Sequence, residues 1–164
     1  MQKAFTFLLI ASALIACSPN ADLQGRGEDY LQGQWTQDSI PMQSKLLSYS
    51  LYDFNFSCDS VYATIRSFSK VNSGYDTCMN AGKWTEYVRG TYEQKNDTLY
   101  IKGNFCNADF SLKGPGGCFR SGPYQDAFKV TRKSDLLIQL SSISNVIPVN
   151  LRLVNKISCN PKPL

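Results

Sequence analysis

The stretch that decides the fold is SYSLYDFNFSCDSVYATIRSFSKV, residues 48–71. Its apolar residues recur every second position. Tyr52, Phe54 and Phe56 share one face, and Asp53 and Asn55 point the other way. That is the period of a half-buried strand. Cys58-Asp59-Ser60 reads as a turn, after which Val61, Ala63 and Ile65 resume the alternation.

The same pattern repeats outward along the chain. KWTEYVRGTYEQ, from Lys83, places Trp84, Val88 and Tyr92 together. Lys95-Asn96-Asp97 is a turn signal, and TLYIKGNF returns with Leu99 and Ile101 inward. AFKVTRK, then Ser134-Asp135, then LLIQL forms another hairpin. VIPVNLRLVNK ends the series, with Val149, Leu151 and Leu153 alternating against Asn150 and Arg152. Pro148 belongs at that strand's start, because proline has no N–H to give a ladder. Residues 41–47, PMQSKLL, could make one helical turn. Residues 107–124, with Gly114-Pro115-Gly116-Gly117, read as a loop. About eight short strands and no long helix predict an all-β protein, an antiparallel up-and-down barrel.

The N-terminus addresses the chain. Lys3 precedes an uncharged run, residues 4–16, too short for a bilayer span of roughly 20 residues. The order matches a signal peptide. Leu14-Ile15-Ala16-Cys17 resembles the bacterial lipobox. That resemblance implies cleavage after residue 16 and acylation of Cys17. Ser18 after the cysteine, where Asp is absent, implies the outer membrane of a Gram-negative cell. No acidic run follows, which points to the periplasmic face. The domains expected are a signal peptide (1–16), a lipidated tether (17–30) and a barrel (31–164).

Composition excludes several functions. Lys and Arg number 17 and Asp and Glu 13, with no basic run, so nucleic acid is not an expected partner. The chain has no histidine. Ser-His-Asp and Cys-His catalysis are therefore absent, as is a histidine zinc site. No cofactor and no metal are expected. Gly114 to Gly122, GPGGCFRSG, lacks the Lys and the following helix of a phosphate loop. Glu86 and Glu93 lie seven apart, so a straight strand sends them to opposite sides, both read as solvated.

Six cysteines are present: Cys17, Cys58, Cys78, Cys106, Cys118 and Cys159. With Cys17 acylated, five remain in an oxidising compartment. Two bridges leave one thiol over, and order alone does not choose the pairing. Short loop closure favours Cys58–Cys78 or Cys106–Cys118, with Cys159 near the tail as a candidate for the odd thiol.

Gly33-Gln34-Trp35 resembles the Gly-x-Trp that opens the first strand of lipocalins. The resemblance implies that Trp35 closes one end of the barrel, covered by an arginine from the last strand; Arg152 is in the right order. It also implies a small apolar ligand, with Tyr52, Phe54, Phe56, Trp84 and Tyr92 as candidate lining, unless these side chains simply fill the barrel. The mature chain further resembles a group of small bacterial lipoproteins in which LQGxW, GKWxEYxxGTY and GCFRSGxY recur. Some members carry the name fumarate hydratase, but fumarate hydratases are far larger and their GSSxMPxKxN loop is absent here. No catalytic residues are expected. Ser121-Gly122-Pro123-Tyr124 resembles the loop by which periplasmic lysozyme inhibitors enter their target, which would imply an envelope protein partner. Asp38-Ser39-Ile40, Asp59-Ser60-Val61 and Asp97-Thr98-Leu99 resemble a bacterial O-glycosylation motif, and equally suit turns entering strands.

Overall fold

A computed structural model describes residues 23–71, 76–143 and 146–163. Its strands are β1 (Gly33–Thr36), β2 (Ser48–Ser57), β3 (Ser60–Ser69), β4 (Lys83–Lys95), β5 (Thr98–Cys106), β6 (Pro123–Lys133), β7 (Leu137–Ser142) and β8 (Val149–Lys156). Each pairs antiparallel with the next, and β8 pairs with β1, so one sheet closes on itself. The expected up-and-down barrel is the architecture observed. The segment expected as a signal peptide and Cys17 lie outside the described residues.

The opening stretch forms the β2–β3 hairpin, in register from Ser48↔Ser69 to Ser57↔Ser60. Cys58, with φ at 55°, makes the tight turn. Asn96, with φ at 56°, does the same between β4 and β5. These turns, the start of β1 and the end of β8 gather at one end. The long β1–β2, β3–β4, β5–β6 and β7–β8 connections gather at the other, the mouth.

Two boundaries differ from expectation. β6 begins at Pro123, so the glycine-rich loop ends at Gly122, two residues before Tyr124. A short helix at Asp76–Met79 with a 3-10 turn at Asn80–Gly82 was not legible in the pattern, whereas the turn at Gln43–Lys45 falls inside 41–47 as expected. One turn of helix is too short to show a period.

Alternation fixes what faces inward. On β2 these are Tyr52, Phe54 and Phe56, and the three rings stack in sequence at 5.8 and 5.5 Å. Phe128 of β6 meets Phe54 edge-on at 6.2 Å. Phe54, Phe56, Phe128, Trp35, Leu99 and Ile101 are all fully buried. Each such side chain contributes roughly 1.5–3 kcal/mol through burial. The barrel axis is therefore filled below Tyr52. Gly90 and Gly103 face each other across β4 and β5, where a Cβ would stand 2.0 and 2.3 Å from the opposite strand's carbonyl oxygens. Glycine here permits the close approach that bends the sheet.

A buried amide plugs the closed end. Gln32 accepts from the Cys58 N–H at 2.7 Å and donates to the Cys58 carbonyl at 2.9 Å and to the Tyr92 hydroxyl at 2.9 Å. Tyr92 in turn donates to the Cys58 carbonyl, and burial pushes its phenol up to about 12. The residues before β1 are part of this plug. Gly25 donates to Asp59, Gln24 pairs with Lys162, and Leu23 bridges Pro163. The tether expected through residue 30 is fixed to the barrel from Leu23 onward.

The disulfides correct the short-loop preference. Cys58 bonds Cys159 and Cys78 bonds Cys118; Cys106 is the buried free thiol. Neither Cys58–Cys78 nor Cys106–Cys118 forms, and Cys159 is not the odd thiol. Cys58 sits at the closed end, where the tail returns, and Cys78 lies at the mouth with the glycine-rich loop. The barrel holds these two turns at opposite ends, so sequence proximity could not pair them.

Candidate functional site at the barrel mouth

A cavity of about 380 Å³ opens at the mouth. Its polar lining is Gln37, Ser48, Tyr49, Ser50, Tyr52 and Ser67; its apolar lining is Ile40, Phe68, Trp84, Ile147 and Val149. Ser50 and Ser67 face each other in the β2–β3 register and hydrogen-bond at 2.8 Å. The Gln37 side chain accepts from the Tyr52 N–H at 3.3 Å. Tyr49 stacks on Phe68 at 4.8 Å and is hydrogen-bonded by Gln43. The Tyr52 hydroxyl makes no hydrogen bond among the described residues. Burial, reinforced by the Asp126 carboxylate, raises its pKa.

Beside this cavity lies a recess lined by Ser50, Ser67, Trp84, Glu86, Phe119 and Arg120. Glu86 is an inward position of β4, and its carboxylate is 5% exposed. Reading it as a solvated strand face is therefore wrong, while Glu93 is exposed as expected. Arg120 accounts for this burial. Its Nε and a terminal nitrogen donate to the two Glu86 oxygens at 2.9 and 2.7 Å, and its backbone N–H adds a third bond. Burial alone would raise the Glu86 carboxyl; the arginine outweighs it and holds the group below the usual range. The Trp84 indole N–H helps lower it without a hydrogen bond of ordinary geometry.

The same loop supplies two more contacts. Phe119 stacks on Trp84 at 4.9 Å with the ring planes 8° apart. Arg120 lies over the Phe105 ring at 4.6 Å, a contact of about 0.5–1 kcal/mol at a partly exposed site. With the Cys78–Cys118 bond, these fix the loop 107–122 at the rim. Deeper in the wall, Tyr124 donates to Asp126 at 3.2 Å. Burial raises the Asp126 carboxyl despite that bond and the Ala127 N–H.

The expected site residues divide. Tyr52 and Trp84 line the mouth. Phe54 and Phe56 are core filling, and Tyr92 belongs to the closed-end plug, so none of the three lines the cavity. Trp35 is buried near the closed end, its indole donating to the Leu31 carbonyl at 2.7 Å. Arg152 does not cover it: the alternation that sends Leu151 and Leu153 inward sends Arg152 out, where it forms a two-point pair with Asp38. Tyr124 of the Ser-Gly-Pro-Tyr stretch is buried in the barrel wall, while Ser121 and Pro123 are exposed. Asp38 and Asp97 are held in surface ion pairs, and Thr98 donates to Asp97.

Gln37, Ser50, Ser67, Arg120 and Glu86 were missed. The sequence signal for Glu86 was its parity with Trp84 and Val88; nothing local marked Arg120 as its partner, 34 positions away. Among the described residues no cluster of His, Cys, Asp and Glu could hold a metal ion. No protein family, curated protein or solved structure matches the chain.

Proposed function

We propose that this chain is a lipid-anchored protein of the Gram-negative envelope. Acyl chains on Cys17 hold it to the outer membrane, facing the periplasm, and its barrel mouth binds a small amphipathic molecule without chemistry on it. One observation carries the binding reading: above the buried rings of Phe54, Phe56 and Phe128 the mouth holds a cavity of about 380 Å³ that mixes aromatic side chains with hydroxyl groups. Ligand pockets begin near that size, at roughly 300 Å³. The lipobox supports the anchor, and two disulfides suit an oxidising compartment. Catalysis is left out because the carboxylate beside the mouth, Glu86, is engaged by Arg120, and Asp126, deeper in the wall, by Tyr124. Real turnover of fumarate by the pure protein would overturn that part.

Native mass spectrometry of the domain, exported to the periplasm with Cys17 replaced, tests the reading. The expected spectrum carries a mass excess that denaturation removes. A bare mass from every preparation would sink the ligand reading and leave the exposed tip of the glycine-rich loop, Gly114 to Gly117, as the surface for a protein partner.

A further inference from the structure

We infer that the mouth takes a short, uncharged ring compound carrying a hydrogen-bond acceptor, an inference that rests on the small-molecule reading above. Depth sets the length. The ring column of Phe54, Phe56 and Phe128 closes the axis immediately below Tyr52, so an extended acyl chain has nowhere to run. The lining sets the charge. None of the residues around the cavity is charged, and the charges of the adjoining recess, Glu86 and Arg120, are spent on each other. An ionised ligand would lose water without gaining a counter-charge.

The polar atoms set the functional group. Tyr52 presents to the cavity a hydroxyl that no described residue engages, and an acceptor on the ligand answers it. Ser50 and Ser67 bond each other and the Gln37 oxygen takes the Tyr52 N–H, while the Tyr52 hydroxyl and the buried Trp84 indole N–H remain donors without a partner among the described residues. The aromatic part of the lining, Trp84 and Phe68, each already stacked on a neighbour (Phe119 and Tyr49), favours a flat ring over a branched chain.

Four probes separate these properties: 4-hydroxybenzamide (neutral ring), 4-hydroxybenzoate (anionic), tyramine (cationic) and dodecanoate (acyl chain). Trp84 fluorescence reports binding at the mouth, with Trp84→Phe as the blank that leaves only Trp35 at the far end. The neutral probe should bind at least tenfold more tightly than each of the others, and Tyr52→Phe should weaken it severalfold. Equal or tighter binding of a charged probe or of dodecanoate would overturn the inference and leave the small-molecule reading standing. Unchanged affinity in Tyr52→Phe would overturn the acceptor. If no probe binds, the co-purified mass decides: a charged or long-chain ligand overturns the inference, and a bare mass overturns the reading beneath it.

Discussion

Asp126 shows how a single side chain can cost stability in one place and serve geometry in another. It faces into the barrel wall, hydrogen-bonded by Tyr124, by the Ala127 N–H and by Ser142 at 3.4 Å. Burial raises its carboxyl above the ordinary value of 3.8. A raised acid binds its proton more tightly folded than unfolded, so its contribution is fully present below pH 3.8 and is lost as pH rises through the folded value. Glu86 has the opposite sign, since its carboxyl is lowered: its contribution is present above its unfolded value and is lost as pH falls through the folded one. Asp126→Asn keeps an acceptor oxygen and cannot ionise. Urea titrations should find the variant at least as stable as the parent at pH 7, and the parent gaining on it as pH falls toward 3.8. A parent that instead loses ground to the variant on acidification would show that Asp126 is stabilised as the anion.

At the scale of elements, the two disulfides do different work. Cys58–Cys159 closes 101 residues and ties the tail to the β2–β3 turn. Cys78–Cys118 closes 40 residues and ties the helical turn before β4 to the glycine-rich loop, outside the barrel ladder. Chain-entropy arguments give each about 2–4 kcal/mol, more for the longer loop. Replacing Cys78 and Cys118 by serine should therefore leave the barrel folded, with hydrogen exchange quickening at the mouth, in 107–122, and unchanged in β2 and β3. Loss of protection throughout the sheet would show the mouth bridge to be needed by the barrel itself. The strands were readable because a period of two persists over β2, β3 and β4. The bridges were not, because the pairing depends on which turns share an end, a property of the closed sheet.

For the whole molecule, the polarity of the barrel follows from where the chain joins it. Leu23 and Gln24 are paired with Pro163 and Lys162 at the closed end. Cys17 is six residues upstream, a reach of roughly 20 Å when extended. An acyl anchor on Cys17, as proposed, would bring the closed end toward the bilayer and turn the mouth away from it. Cell fractionation should find the parent in the membrane pellet and Cys17→Ala in the soluble periplasmic fraction. A variant that still pellets would remove the anchor from this account.

Local sequence determined the strands, the inward faces and the turns, because alternation and turn chemistry act between neighbours. It also marked Tyr52 and Trp84 as inward aromatics. It did not determine which inward residues fill the barrel and which line a cavity: Tyr52 and Phe54 differ in the sequence by two positions and in the fold by whether another ring closes over them. Nor could it give the Glu86–Arg120 pair or the Gln32 plug, whose partners lie 34, 26 and 60 positions apart. Those distances collapse only when the sheet closes. Tertiary structure alone decided them, because a buried charge or amide is tolerable only where the closed barrel delivers its partner.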